Sequence, residues 1–313
     1  MRGPLAGVAV IFDLDGTLID TAGDLAASMN HALTAAGLAP VPLARVRCLV
    51  GHGARAMLSK GFAESGASPP SSAELEAHVS VFLDHYMAHI ADTSRPFAGA
   101  IEAVEAMKAD GATIAICTNK REAWARALIE ALNLTHHFGA IVGADTTGLA
   151  KPDPRPVRYC MSQTRARQAV FIGDSDTDIK AAEAAGIPCL AALFGYGPLD
   201  HCERADAVFS AYDEAPALVA RWRACVRPAR PPGCRSCAAC RSPCRSERPF
   251  APTALSTRIP PVSNRPRPRS LSCARNPGFW PRAALRHHPC NDPTCSPQIG
   301  SIHRNAAKEY KAG

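Results

Sequence analysis

Short apolar runs without internal polar residues recur along the chain and alternate with stretches of helical periodicity. Such runs are typical of strands buried on both faces of a parallel sheet. The predicted strands are Val8–Phe12, Thr113–Cys117, Ala140–Gly143, Val170–Ile172 and Pro188–Leu193. The predicted helices between them are Ala100–Ala109, Arg121–Leu132, one that begins near Pro154, and Thr177–Ala185. This alternation predicts an α/β fold with a doubly wound parallel sheet, a Rossmann-like core.

The long connection after the first strand has only helical patterns. Helices are predicted over Asp24–Ala36, Ala54–Ala63 and Ser72–Ile90, separated by Gly and Pro residues. A connection of this length inside a compact domain is usually functional. We therefore expect a helical cap over residues 19–95, placed over the carboxyl edge of the sheet, and a core formed by residues 1–18 and 96–223.

An acidic pair, Asp13 and Asp15, directly follows the first apolar run in the sequence FDLDGT. An ionised carboxylate at Asp13 can attack phosphorus, which splits hydrolysis into two easier steps through an aspartyl-phosphate. Asp15 can protonate the leaving oxygen and later deprotonate the attacking water. The pair therefore indicates phosphoryl transfer.

Other strand ends supply the cations and polar groups that this chemistry needs. Lys151, in GLAKPDP, offers a fixed positive charge, and Asp174 and Asp178, in FIGDSDTD, suit a magnesium ion held by few carboxylates. Asp174 is the expected direct ligand, and Asp178 is expected to orient Lys151 or a metal-bound water. Thr118 and Asn119 offer a hydroxyl and an amide to phosphate oxygens.

In chain order, the four motifs are FDLDGT, the strand-terminal Thr118, Lys151 before a proline, and GDSDTD. They resemble the four ordered motifs of haloacid dehalogenase-like hydrolases. The resemblance implies that Asp13 is the nucleophile and a metal ligand, that Asp15 is the acid/base and binds Mg²⁺ through its backbone carbonyl, and that Asp174 is a metal ligand. It implies that Thr118 and Lys151 bind phosphate. It also implies that the strands carrying the first, second and fourth motifs are adjacent in the sheet.

The segments IDTAGDL, LVGHGARAML, TSRPFAG, CTNK and GLAKPDP resemble those of bacterial phosphoglycolate phosphatases over about residues 8–223. This resemblance implies 2-phosphoglycolate as a small anionic substrate. Sugar phosphate or pyrophosphate phosphatases and phosphomutases of the same superfamily stay open. In GHGAR, Arg55 is a candidate for binding a substrate carboxylate, with an ordinary surface arginine as the alternative, and His52 is expected to be a loop residue.

Composition changes sharply near the C-terminus. Residues 1–225 hold 19 basic and 25 acidic residues, whereas residues 226–313 hold 16 basic and 3 acidic residues with 15 of the 27 prolines. We expect residues 224–313 to be a disordered tail that is not part of the enzyme. Its cysteines Cys234, Cys237, Cys240 and Cys244 have an iron–sulfur-like spacing, so an iron–sulfur or binding module is the remoter alternative function.

Several features favour structural interpretations. His85 and His89 are four residues apart and His78 lies near the same line of the helix, but a position at the margin of its apolar face is favoured over a metal site. Cys117 is expected to be buried packing. The cysteines up to Cys225 show no paired spacing, and no apolar run suits a signal or a membrane span, so we expect a cytoplasmic protein, monomer or homodimer, that needs neither nucleic acid nor membrane.

Overall fold

The computed structural model describes residues 3–51 and 53–225. The expectations for the tail, for its cysteine run and for His52 fall outside the described residues. Within the described part, the chain forms a parallel α/β core and a group of four helices that follows the first strand. The predicted fold class is confirmed.

The core is built on a six-stranded parallel sheet with the order β5-β4-β1-β6-β7-β8. Its strands are β1 (Val8–Phe12), β4 (Thr113–Cys117), β5 (Ala140–Val142), β6 (Gln168–Gly173), β7 (Cys189–Ala192) and β8 (Ala207–Phe209). In β1, Phe12 lies opposite Ile116 on one side and Ile172 on the other. The three strands that carry the first, second and fourth motifs are therefore adjacent, as the resemblance implied.

The sheet is covered on both faces, which explains why its strands have polar residues only at their first positions, in β4 and β6. Val8, Val10 and Phe12 pack into one apolar cluster with helices α5 (Ala100–Ala109), α6 (Glu122–Ala131) and α9 (Ala215–Cys225). Ala9 and Ile11 pack into a second cluster with helices α7 (Pro154–Thr164) and α8 (Asp176–Ala185). Alternate residues of β1 thus face opposite layers, and both layers are apolar.

Four helices between β1 and α5 enclose an apolar cluster of their own. They are α1 (Ala22–Ala35), α2 (Leu43–Arg47), α3 (Ala54–Glu64) and α4 (Ser72–Ala88). Helix α4 begins with a reciprocal capping box between Ser71 and Glu74. Its buried residues Phe82 and Tyr86 pack in the same cluster as Met29 of α1. We propose that these helices form the cap, with the division of the chain given above.

Two chain crossings join the four helices to the sheet and its flanking helices, and these crossings are tied together. The two-residue strands β2 (Ile19–Asp20) and β3 (Arg95–Pro96) pair antiparallel at this joint. Next to them, the buried carboxylate of Asp24 accepts hydrogen bonds from the backbone N–H and hydroxyl groups of Thr93 and Ser94, at 2.6–2.9 Å in four of the bonds. One carboxylate therefore fixes the return crossing to the first turn of α1.

The sequence pattern missed the shortest elements. Helix α2 has five residues, β2 and β3 have two each, and β8 has three, which is too short for a period to be recognised. The expected boundaries of the longer elements differ from those observed by at most two residues, for example Arg121–Leu132 against Glu122–Ala131. Helix α9, next to the change in composition, was not predicted.

Two observations bear on the expected cellular environment. No helix in residues 3–51 and 53–225 is both long and apolar enough to cross a membrane. Cys117, Cys160 and Cys189 are buried free thiols. A cytoplasmic location stays a prediction.

The Asp24 joint predicts a pH-dependent contribution to stability. Burial acts to raise the pKa of Asp24, but hydrogen bonds from Ser94 and Thr93 hold that pKa below its ordinary value of 3.8. Its contribution is therefore complete above pH 3.8 and is lost as pH falls through the lowered folded-state pKa. We expect Asp24→Asn to lower the free energy of unfolding by ~2 kcal/mol at neutral pH, because donors at Thr93 and Ser94 lose a charged acceptor.

Urea denaturation at several pH values measures this effect. Asp84→Asn, at an exposed position of α4, is the control and should change stability by less than ~0.5 kcal/mol. A destabilisation by Asp24→Asn that stays constant from neutral pH to well below pH 3.8 would contradict the assignment.

Candidate active site

The carboxyl ends of three adjacent strands meet at one point, and each contributes a polar side chain. Asp13 follows β1, Thr118 follows β4 and Asp174 follows β6. Lys151 comes from the loop before α7. Parallel strands align their carboxyl ends at one edge, which is where open α/β sheets bind ligands. The fold thus brings together residues that are far apart in sequence.

Lys151 is the cation at the centre of this group. Its Nζ lies 2.7 Å from Oδ1 of Asp13 and 2.7 Å from Oδ1 of Asp178, and it stands 5.2 Å from the centre of the Phe171 ring. The residue is 5% exposed. Although burial opposes the charge, Asp13 and Asp178 raise the pKa of Lys151 above its ordinary value, so the ammonium stays protonated.

The carboxylate of Asp174 is held by three donors from two chain segments. Its Oδ1 accepts from the Thr17 hydroxyl at 2.9 Å, and its Oδ2 accepts from the backbone N–H groups of Tyr196 and Gly197 at 2.7 and 3.0 Å. Gly16, at φ +83°, passes so close that a Cβ there would lie 2.5 Å from Oδ2 of Asp174. The DGT turn therefore needs its glycine in order to approach this carboxylate.

Asp13, Asp174 and Asp178 form a cluster that could hold a metal ion. Each offers one carboxylate oxygen, and these oxygens lie within 4.8 Å of one another. Burial raises the pKa of Asp13 to about 8, with further contributions from the charges of Asp178 and Asp174. The charge of Lys151 acts in the opposite direction. Burial and Asp178 likewise raise the pKa of Asp174 to about 6. Three carboxylates around one ammonium leave an excess of negative charge, and hard oxygen donors suit Mg²⁺.

The carboxylate of Asp15 points to different partners. Its Oδ1 accepts from the Thr21 hydroxyl at 2.7 Å and lies 2.9 Å from Nζ of Lys120. Lys120 also donates to the hydroxyl of Tyr86 at 3.1 Å. The two aspartates of the DxD sequence therefore have separate cations, Lys151 for Asp13 and Lys120 for Asp15. The third carboxylate of the cluster belongs to Asp178, which was expected to support the site. The metal contact expected of Asp15 is through its backbone carbonyl and stays a prediction.

Thr118 and Asn119 follow β4 but have different surroundings. The buried Thr118 hydroxyl accepts from the backbone N–H of Lys120 at 3.1 Å, which leaves its own proton available to donate. The Asn119 amide bonds both ways with the backbone of Lys151, at 2.8 and 3.0 Å, and donates to the carbonyl of Gly51 at 3.4 Å. Asn119 thus fixes the backbone of Lys151, and its role as a phosphate ligand stays a prediction.

A cavity of about 390 Å³ lies between the strand ends and the helices of the proposed cap. The core side of its wall is polar and includes Asp13, Asp15, Thr118 and Lys151. The cap side is mainly apolar; its residues include Leu25, Val50, Met57, Val79, Phe82 and Leu83. Arg55 is also part of the wall, but its exposed guanidinium forms an ion pair with Glu76 and donates to Ser72 at 3.2 Å.

Comparison with known proteins identifies the family to which the chain belongs. A family model described as haloacid dehalogenase-like hydrolase matches residues 10–192. The chain belongs to this family of hydrolases. A phosphoglycolate phosphatase of Mesorhizobium japonicum is 49% identical over 189 residues, which cover 60% of this chain and 83% of that protein. One of Caulobacter vibrioides is 43% identical over 194 residues, covering 61% of this chain and 81% of that protein.

Solved structures of this family have the same fold. The crystal structure of a predicted phosphoglycolate phosphatase from Haemophilus somnus superposes with a TM-score of 0.62 at 26% identity. The alignment covers 67% of this chain and 97% of that one. The family predicted from the four motifs is therefore confirmed. The predicted class of enzyme, a hydrolase of phosphoric monoesters, is also confirmed. The role of each site residue is a proposal developed below.

Sequence reasoning missed the contacts that four residues make with the aspartates of the haloacid dehalogenase-like site. Thr17 and Tyr196 contact Asp174, while Thr21 and Lys120 contact Asp15. Thr17, Thr21 and Lys120 lie within the quoted segments FDLDGT, IDTAGDL and CTNK, so their positions were a usable signal. Tyr196 lies in the loop after β7, where no motif marks it.

The histidines of α4 and Cys117, for which structural roles were favoured over metal binding or catalysis, have surroundings that fit those roles. His85 bonds Ser28 at 3.1 Å, His89 bonds Asp92 at 2.8 Å, and the two imidazole rings stack at 4.5 Å. Among the described residues, the histidines form no group with metal-ligand spacing. Burial raises the pKa of the Cys117 thiol to about 12, so this thiol is not ionised near neutral pH.

The Lys151 arrangement makes a prediction for stability. We expect Lys151→Met to lower the free energy of unfolding by ~3 kcal/mol in metal-free protein, because it leaves Asp13 and Asp178 buried without their cation. Arg155→Met, which removes an exposed partner of Asp153, is the matched control and should destabilise the protein far less, because solvent screens an exposed ion pair. Urea denaturation compares the two variants, and equal effects would show that Lys151 is not the main compensating charge.

Proposed function

We propose that this hydrolase is a Mg²⁺-dependent phosphomonoester hydrolase that converts 2-phosphoglycolate to glycolate and phosphate through an aspartyl-phosphate at Asp13. The observation that carries the proposal is the placement of Asp13, Lys151 and Asp174 at one buried strand edge that opens to the cavity. The likeness to phosphoglycolate phosphatases supports the choice of substrate.

The first step is attack on the phosphate by a carboxylate oxygen of Asp13. The bond from phosphorus to the ester oxygen breaks, and the phosphoryl group is left on Asp13. Lys151, which is 2.7 Å from Asp13, and the Thr118 hydroxyl would neutralise and hold the phosphate oxygens. Asp178 and Asn119 hold Lys151 in place through its side chain and its backbone.

Asp15 is proposed to act as the general acid in the first step and as the general base in the second step. It gives a proton to the leaving ester oxygen in the first step, and it takes one from the water that attacks the aspartyl-phosphate in the second step. The Thr21 hydroxyl and the Lys120 ammonium, at 2.7 and 2.9 Å, fix the position of its carboxylate. Each turnover therefore returns both aspartates to their starting state.

The donor set fits a magnesium ion. Asp13 and Asp174 would hold it with their carboxylates and Asp15 with its backbone carbonyl, while Asp178 supports the arrangement. When bound, the ion would compensate the charge of the phosphate and of the carboxylate cluster. The hydrogen bonds from Thr17, Tyr196 and Gly197 keep Asp174 oriented.

The remaining proposals concern substrate and setting. The cavity suits a small anionic phosphomonoester, and Arg55 at its wall stays a candidate for contact with the organic part. Sugar phosphate or pyrophosphate phosphatase and phosphomutase activities stay the alternatives, and a sugar phosphate that leads the panel described next would identify the first of them. We propose that the enzyme acts in the cytoplasm as a monomer or homodimer, without nucleic acid or membrane.

Phosphate release from a panel of phosphomonoesters with Mg²⁺ tests the function. We expect 2-phosphoglycolate to give the highest kcat/KM, and Asp13→Asn to lower kcat by at least about 10³-fold because the nucleophile is removed. Asp15→Asn should lower kcat by about 10²- to 10⁴-fold. Asp84→Asn, an exposed carboxylate away from the cavity, is the control. An active Asp13→Asn enzyme would refute the mechanism, and a different leading ester would refute the substrate.

Thermal unfolding with and without Mg²⁺ tests the metal site separately from turnover. At a magnesium concentration of about 100 Kd, binding to the folded state alone adds ~2.7 kcal/mol. That corresponds to a rise in Tm of about 5–10 °C for a domain of this size. Asp174→Asn should lose most of this rise, whereas Asp84→Asn should keep it. An equal rise in both variants would place magnesium elsewhere.

A further inference from the structure

Lys120 is a buried cation that the mechanism above uses only as a support for Asp15. It lies two residues after Thr118, and its side chain is 6% exposed. Its ammonium lies 2.9 Å from Oδ1 of Asp15, 3.1 Å from the hydroxyl of Tyr86 and 4.8 Å from the centre of the Tyr86 ring. Both Lys120 and Tyr86 are part of the cavity wall.

These two side chains keep unused capacity for hydrogen bonding. An ammonium has three N–H donors, and within the described part of the chain Asp15 and Tyr86 account for two of them. The Tyr86 hydroxyl accepts the bond from Lys120, so its own proton is left to donate. A positive charge and two donors are therefore available next to the carboxylate that is proposed to protonate the leaving oxygen.

The position of Asp15 fixes where the organic part of a substrate must lie. Asp15 has to reach the ester oxygen, and Asp13 and Lys151 hold the phosphate beyond that oxygen. In 2-phosphoglycolate, a single carbon separates the ester oxygen from the carboxylate. A carboxylate so close to the oxygen served by Asp15 comes within reach of the cation that bonds Asp15.

The other cations of the cavity wall are engaged elsewhere. Lys151 is shared by Asp13 and Asp178. Arg55 is paired with Glu76, and Arg121 is paired with Asp145 at 3.2 Å; both arginines are exposed. Charge interactions are stronger in a buried site than at a hydrated rim. Among the described residues of the wall, Lys120 is therefore the best-placed cation for a second anionic group.

We propose that Lys120 and Tyr86 form an anion subsite that binds a carboxylate on the carbon next to the ester oxygen, and that this subsite gives the enzyme its preference for such esters. The inference rests on the proposed phosphatase function and names the specificity residues of the same site. Tyr86 belongs to α4 of the cap and Lys120 to the core, so the subsite is complete only when the two parts are docked.

The test compares kcat/KM for 2-phosphoglycolate with kcat/KM for ethyl phosphate, which has the same chain length and no carboxylate. Because Lys120 also supports Asp15, the readout is the ratio of the two values and not the activity itself. We expect Lys120→Gln to lower this ratio by about 10- to 100-fold, through loss of a charged hydrogen bond. Lys120→Arg should restore part of the ratio, and Tyr86→Phe should lower it by about 3- to 10-fold.

A binding measurement covers the case in which Lys120→Gln is too slow to assay. Calorimetry on Asp13→Asn protein gives the affinity for each ester without turnover, and circular dichroism checks that each variant is folded. Adding Lys120→Gln to Asp13→Asn should weaken the binding of 2-phosphoglycolate by about 10- to 100-fold and change the binding of ethyl phosphate by less than about 3-fold.

The outcomes separate this inference from the function on which it rests. If the wild type prefers 2-phosphoglycolate and Lys120→Gln lowers both esters equally, Lys120 only positions Asp15 and the subsite is refuted. If Arg55→Ala collapses the ratio and Lys120→Gln does not, the carboxylate binds at the rim and the subsite is again refuted. A wild type that hydrolyses other esters but not 2-phosphoglycolate overturns the proposed substrate together with the subsite.

Discussion

The Lys151 ammonium, shared at 2.7 Å by Asp13 and Asp178, is the interaction on which the rest of the site depends. Three carboxylates meet at the buried end of a parallel sheet, where unpaired charges are costly. One fixed cation makes the arrangement possible but leaves it short of positive charge. Burial, followed by the charges of Asp178 and Asp174, raises the pKa of Asp13 to about 8, although Lys151 acts to lower it. The same deficit is what would make the cluster bind a divalent cation. Stability and the proposed chemistry are thus linked through one side chain.

The carboxylate cluster is also connected to the crossing between the core and the proposed cap, through Tyr196. Tyr196 donates its backbone N–H to Asp174, and its hydroxyl bonds Asp20 at the start of the proposed cap. The Arg47 guanidinium of α2 stands 5.5 Å from the centre of the Tyr196 ring. A single residue therefore contacts both a proposed metal ligand and the crossing into the cap. The position of the cap and the geometry of the carboxylate cluster are connected through the loop after β7.

Sequence patterns predicted the parts of this enzyme that follow from strand ends. Asp13, Thr118 and Asp174 could be placed together because parallel strands align their carboxyl edges, and the family resemblance supplied the order of the strands. The contact of Lys120 with Tyr86 could not be predicted, because it depends on how α4 docks on the core. The ion pair of Arg55 with Glu76 was missed for a similar reason, since it joins two cap helices whose packing no local period reveals.

The central claim is that Asp13 carries the phosphoryl group during turnover. Mixing excess wild-type enzyme with 2-phosphoglycolate and Mg²⁺, quenching with acid within one turnover, and mapping the peptides by mass spectrometry tests it directly. The account predicts a phosphoryl group on the peptide that contains Asp13, at the carboxylate of that residue, with a longer-lived signal in Asp15→Asn. Complete hydrolysis with no phosphorylated peptide at any time, or a phosphoryl group on another residue, would contradict it.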